Sequence, residues 1–76
     1  MEVKPSRKIT DLFGIPADNG YLGAMIENQF HHYILNNKLG QIDRFQVDKK
    51  LAGISGLSEA QCVTYSQFLQ SIKGEL

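Results

Sequence analysis

The chain has 76 residues, and its eight Lys and Arg residues balance eight Asp and Glu residues to a formal charge of zero. The charges are spread along the sequence, so no segment offers the basic surface expected of a protein that binds nucleic acids or membrane surfaces. Cys62 is the only cysteine, which excludes an internal disulfide and a cysteine-based zinc site. A core of this size rarely supplies more than about 3–5 kcal/mol without such a staple. Self-association is therefore the expected source of additional stability.

The sequence predicts one cytoplasmic domain over residues 1–76. The N-terminal segment lacks the apolar run of a secretory signal, and Met1 is consistent with a native start. No apolar run approaches the roughly 18 residues that a membrane span needs. A lone cysteine suits a reducing compartment.

The first predicted helix covers residues 7–13. Ser6 can cap its N-terminus, and Gly14 can end it in the left-handed conformation. Its apolar residues recur at helical spacing: Ile9, Leu12 and Phe13.

The longest predicted helix covers residues 18–39. Lys38 in its last turn and Gly40 just beyond are a typical C-terminal signal. Its apolar stripe follows the 3.6-residue period over Leu22, Met25, Ile26, Phe30, Tyr33 and Ile34. On a helical wheel this stripe centres near Tyr33, with His32 at its border.

The segment over residues 41–52 is open to two interpretations. Phe45–Val47 alternates in polarity as a short strand would, whereas Lys49–Ala52 favours a helix by propensity. A lone short strand finds no evident pairing partner elsewhere in the sequence. We therefore predict a helix over residues 43–52, capped by Asp43.

The last predicted helix covers residues 58–73. Ser58 and Gln61 have the spacing of a capping box, and Lys73 and Gly74 mark the end. Its apolar stripe consists of Cys62, Tyr65, Phe68, Leu69 and Ile72. The four segments together predict an all-α protein, a compact bundle of three to four helices completed by self-association.

His31 and His32 are the first candidates for chemistry. Glu27 and His31 are four residues apart, which places both on one helix face as in half of a carboxylate-bridged metal site. The other predicted helices supply no further histidine, so no metal or cofactor is expected. Cys62 lies on an apolar stripe, which favours a buried structural thiol over a catalytic nucleophile. No catalytic triad pattern, P-loop or dinucleotide fingerprint is present, so we predict no catalytic residues and no enzyme.

The predicted contact surface lies on the long helix, opposite its apolar stripe. Ala24, His31 and Leu35 share this side, and Leu35 is a large apolar residue on a face that should meet solvent. A helix that is apolar on more than one side is usually buried on more than one side. We therefore predict a protein interface at these three residues, in which His31 would respond to mildly acidic pH.

These observations predict a small non-enzymatic protein that binds another protein and also itself, as a homodimer. It would act as a regulator, an inhibitor or an accessory subunit. The alternative is a helix-turn-helix DNA-binding regulator formed by residues 48–70, with Ala52 and Gly56 at the spacing of that motif. Its DNA contacts would be Arg44, Lys49, Lys50, Gln61 and Thr64. The second helix of this motif carries no Lys or Arg, which counts against DNA binding because phosphate contacts supply much of the affinity.

Overall fold

The computed structural model describes all residues from 1 to 76 and contains four α-helices, five short β-strands and a terminal 3₁₀ turn. In chain order these are β1 (Glu2–Val3), α1 (Arg7–Phe13), β2 (Tyr21–Leu22), α2 (Gly23–Asn36), β3 (Gly40–Gln41), β4 (Arg44–Gln46), α3 (Lys49–Ser55), β5 (Cys62–Val63), α4 (Tyr65–Ser71) and the 3₁₀ turn Lys73–Glu75. Helical residues make up 50% of the chain and strands 14%. The protein is therefore mixed α/β, and the prediction of an all-α helical bundle is wrong.

The N-terminal part of the fold is a two-stranded antiparallel sheet of β1 and β2, with α1 between them in the sequence. Helix α1 has the predicted bounds of residues 7–13, and Gly14 ends it in the left-handed conformation at φ 65°. Ser6 occupies the N-cap position without a side-chain capping bond. Its backbone N–H donates to the carbonyl oxygen of Glu75 at 2.7 Å, which ties the start of α1 to the C-terminal turn.

A three-stranded antiparallel sheet in the order β3–β4–β5 takes residues 44–46 of the helix predicted over residues 43–52, of which only residues 49–52 are helical. In the central strand Phe45 is buried and Gln46 is exposed, so the alternating pattern is that of a strand with one face on the core. Phe45 lies opposite Gly40 on one side and Val63 on the other. The helix prediction failed because these partners belong to strands of two residues each, which carry no recognisable pattern of their own.

Asp48 begins α3 and links it to α2. Its Oδ1 accepts a hydrogen bond from the backbone N–H of Leu51 at 2.8 Å, which satisfies a free donor in the first turn. Its Oδ2 accepts a hydrogen bond from the hydroxyl of Tyr33 at 2.5 Å. The helix of the middle segment is therefore Lys49–Ser55, and Asp43, the predicted cap, lies in the turn between β3 and β4.

The last helix is much shorter than the predicted residues 58–73. It begins at a capping box in which the hydroxyl of Thr64 accepts from the N–H of Gln67 at 3.1 Å. In return Gln67 Oε1 accepts from the N–H of Thr64 at 2.9 Å. The predicted box at Ser58 forms only one of its two side-chain hydrogen bonds, in a turn that precedes β5.

Helix α2 is shorter than the predicted residues 18–39 and is followed directly by the larger sheet. Its last residue is Asn36, and β3 begins at Gly40 after a three-residue turn. The φ of Gly40 is 147°, and a Cβ there would lie 2.7 Å from the carbonyl oxygen of Arg44. Gly40 is thus required where the two strands approach, rather than as a helix terminator.

The core contains 11 buried apolar residues, nine of them on the four helices and the larger sheet, with Val47 just after β4 and Ile72 just after α4. At its centre the ring of Phe68 lies 5.2 Å from that of Phe30 and 5.6 Å from that of Phe45. Both pairs are nearly perpendicular, the edge-to-face geometry that aromatic rings favour. This aromatic row joins α2, α4 and β4, so it sets which side of α2 faces the core.

Candidate functional site

Helix α2 presents one narrow line of residues to the core. Its buried residues are spaced by four: Ile26, Phe30 and Ile34. The core side of the helix is therefore centred on Phe30. The helical wheel had centred it near Tyr33 because it counted Leu22 and Met25 as core residues. Both side chains are in fact exposed, by 56% and 50%.

The opposite side of α2 is exposed and uncharged. We term it the outer face of α2, and it comprises Ala24, Met25, Asn28, Gln29, His32, Leu35 and Asn36, with Leu22 at the N-cap forming its edge. None of these residues is Asp, Glu, Lys or Arg, although such residues make up 21% of the chain. Glu27 is the one charged residue of α2, and it lines a cleft to which Leu69 of α4 also contributes.

Three large apolar side chains give the outer face its character. Leu22, Met25 and Leu35 are each at least half exposed. With a rise of about 1.5 Å per residue, the surface from Leu22 to Leu35 extends over roughly 20 Å. Single exposed leucines are ordinary, but apolar residues grouped on an uncharged helix face are typical of a protein contact surface. The cores of such interfaces are poor in charge and rich in methionine.

The residues predicted as an interface separate in the structure. Ala24 and Leu35 lie on the outer face, where both are exposed. His31 is only partly exposed, and its ring packs against α4. Leu22 and Met25 are surface residues, although their spacing predicts that they belong to the core. The uncharged composition of the stretch was a signal that could have identified them.

His31 and Tyr65 form a pair of rings that pack edge to face between α2 and α4. Their centroids are 4.8 Å apart, with an interplanar angle of 66°. His31 Nε2 and the Tyr65 hydroxyl are both buried, and each lacks a hydrogen-bond partner. Burial and, second, the negative charge of Glu27 raise the pKa of Tyr65, so its hydroxyl keeps its proton. The pair therefore holds two uncompensated polar atoms and lacks the hydrogen bond between base and acid that proton transfer requires.

Tyr33 and Asp48 form the corresponding contact between α2 and α3, and there the polar atoms are satisfied. Burial, followed by the hydrogen bond to Asp48 and the charge of that carboxylate, raises the pKa of Tyr33. The carboxylate also caps α3, so all the contacts of Asp48 described above hold helices in place. We interpret this contact as structural.

The residues of the DNA-binding alternative do not form a helix-turn-helix motif. Nine residues, 56–64, separate α3 from α4, and they include β5. Lys49 and Lys50 are exposed in the first turn of α3, and Arg44 is exposed on β4. Gln61 precedes β5, and the Thr64 side chain is engaged in capping α4. The five side chains thus lie on four different segments rather than on one recognition helix.

The structure also bears on the metal site, the thiol and the membrane span considered from the sequence. No group of three or more His, Cys, Asp or Glu side chains is placed to hold a metal ion. Cys62 is exposed on β5, so the prediction of a buried thiol is wrong. None of the helices combines the length and the apolarity required to cross a membrane. Comparisons of the chain with protein-family models, with curated proteins and with solved structures find no match.

Proposed function

We propose that the chain is a small non-enzymatic protein-binding module, a regulator, inhibitor or accessory subunit, that pairs with a second copy of itself. The outer face of α2 is the proposed contact. The observation that carries the proposal is that this face exposes Met25 and Leu35 among residues of α2 that are all uncharged, with the exposed Leu22 at its end, opposite Glu2 of β1. We also propose a cytoplasmic location, because the single exposed thiol of Cys62 suits a reducing compartment.

A second copy fits this face for an electrostatic reason. In a two-fold symmetric dimer the residues near the axis meet their own counterparts, so a charged residue there would meet a like charge. The outer face of α2 has no charged residue of its own to incur that repulsion, and the nearest charge in the adjoining sheet is Glu2, opposite Leu22 at its edge. Its exposed side-chain amides, such as those of Asn28 and Gln29, can donate and accept hydrogen bonds across the two-fold axis.

The size of the protein supports the same proposal. Its core contains 11 buried apolar residues, with no disulfide to assist it. Covering Leu22, Met25 and Leu35 would remove three large apolar side chains from water, which is the type of burial that stabilises small chains through a partner.

Sedimentation or light scattering of the purified chain tests the proposal directly. We expect about twice the 8.5 kDa of a single chain at protein concentrations of roughly 10–100 μM. Leu35→Asp and Met25→Asp should each produce a folded monomer, because each places a charge beside its own copy. Leu76→Asp is the control, since Leu76 is an exposed leucine outside the outer face.

Two outcomes would contradict the proposal. A wild-type monomer throughout this concentration range would remove self-association. A dimer that both outer-face substitutions leave intact would remove this surface as the contact. Circular dichroism of each variant shows whether the fold has been kept, so that a loss of pairing is not confused with unfolding.

A further inference from the structure

A cleft of about 260 Å³ lies on the other side of α2, between β1, α4 and the C-terminal turn. Its wall is mainly apolar and includes Ile26 and Phe30 of α2, Leu69 of α4 and Ile72. Three of these, Ile26, Phe30 and Ile72, are core residues, so the cleft opens directly onto the packed interior. An apolar cleft with few polar groups is the common form of a small-molecule site.

The cleft has three polar side chains, Gln70 and the oppositely charged Glu27 and Lys73. Glu27 enters it from α2 and Lys73 from the C-terminal turn, and both side chains are otherwise exposed. A ligand with a carboxylate alone would gain Lys73 but face the repulsion of Glu27. A ligand with an ammonium group alone would gain Glu27 but face the repulsion of Lys73. A ligand that carries both charges finds a partner for each.

We propose that this cleft binds a small zwitterion with an aliphatic body, of the kind represented by a free apolar α-amino acid. Its ammonium group would donate to the carboxylate of Glu27, and its carboxylate would accept from the ammonium group of Lys73. The aliphatic part would lie against Ile26, Phe30 and Leu69. The cleft is smaller than the roughly 300–1,000 Å³ of sites for drug-sized ligands, which suits a molecule of about ten non-hydrogen atoms.

Three probes with the same aliphatic body separate the contributions of the two charges. L-leucine carries both charges, 4-methylpentanoate carries only the carboxylate, and 3-methylbutylamine carries only the ammonium group. Titration of the full chain with each, followed by amide chemical shifts in NMR, measures weak binding residue by residue. We expect saturable shifts around the cleft and an affinity for L-leucine about two- to fivefold above that for either analogue, the range of exposed ion pairs.

Two substitutions assign the charges to their residues. Glu27→Gln should remove the advantage of L-leucine over 4-methylpentanoate, because the ligand's ammonium group loses its partner. Lys73→Gln should remove the advantage of L-leucine over 3-methylbutylamine, because the ligand's carboxylate loses its partner. Lys49→Gln is the matched control, since Lys49 is exposed on α3 away from the cleft, and it should leave all three affinities unchanged.

Either of two results would overturn the inference. The first is the absence of saturable shifts with L-leucine up to tens of millimolar, roughly the weakest affinity that a titration of this kind resolves. The second is equal or tighter binding of one of the singly charged probes to the wild-type chain. Because the cleft does not include the outer face of α2, neither result bears on self-association.

Discussion

Replacing Tyr65 by Phe should stabilise the protein, although it removes a polar group. The Tyr65 hydroxyl is buried without a partner, and its raised pKa keeps it protonated, so its donor is unused as well. A buried polar group left without a partner costs about 1–3 kcal/mol. The side chain as a whole is only partly buried, so we take the lower end and expect a gain of about 1 kcal/mol. For a chain of this size that raises Tm by roughly 4–8 °C.

Tyr33→Phe is the matched control because it removes the same atom from a satisfied contact. The Tyr33 hydroxyl donates to Asp48 at 2.5 Å, so its loss should lower the free energy of unfolding by about 1 kcal/mol. Urea denaturation and calorimetry of both variants measure the two effects, and an unchanged m-value shows that the comparison is valid. If Tyr65→Phe lowers stability as Tyr33→Phe does, the Tyr65 hydroxyl is hydrogen-bonded in solution and the reasoning is refuted.

Three further predictions concern stability. Gly40→Ala should destabilise the fold by about 1–3 kcal/mol, because φ is 147° and the new Cβ would lie 2.7 Å from a backbone atom. Gly53→Ala in α3 places its Cβ in open space, so it should stabilise the fold by about 0.5–1 kcal/mol. Equal effects in urea denaturation would contradict this. Thr64→Ala should lower the free energy of unfolding by about 1 kcal/mol because it removes the cap of α4, and Ser58→Ala should lower it much less. A larger loss of stability at Ser58 than at Thr64 would contradict the observed helix start. Folding raises the pKa of Tyr33 and Tyr65, so the unfolded chain loses these two protons first and stability should fall above about pH 10. Urea midpoints that stay constant between about pH 9 and pH 11 would refute it.

The elements that the sequence predicts well are those whose signals are local. For α1, the apolar spacing and the left-handed Gly14 lie within or next to the helix, and its bounds match the prediction. The start of α4 was predicted wrongly at residue 58 although its signal is local, since Thr64 and Gln67 have capping-box spacing just as Ser58 and Gln61 do. Local signals alone could not choose between these two boxes. Pairing of β5 with β4 decides it, because it keeps the residues before Thr64 extended.

The elements that the sequence predicts badly depend on distant partners. Phe45 lies in a strand because Gly40 and Val63 flank it in space, and Val63 is 18 residues away along the chain. The orientation of α2 has the same kind of cause. Phe30 packs on Phe68 of α4, and this contact turns Met25 outward, although Met25 fits the apolar period as well as any core residue. Part of the outer face was therefore assigned to the core from sequence.

The position of Phe30 also separates the two proposed activities of α2. The cleft lies on its Phe30 side and the outer face on the opposite side, so a change on one side should not reach the other. We expect Leu35→Asp to abolish pairing while the affinity for L-leucine stays within about twofold of that of the wild-type chain. Lys73→Gln should leave the dimer intact. Together these results would mean that the coupling free energy between pairing and L-leucine binding is near zero. Titration of each variant with L-leucine and sedimentation of the same two variants measure the effect of each change on both binding events. Leucine binding that weakens in parallel with pairing would show instead that the second copy completes the cleft.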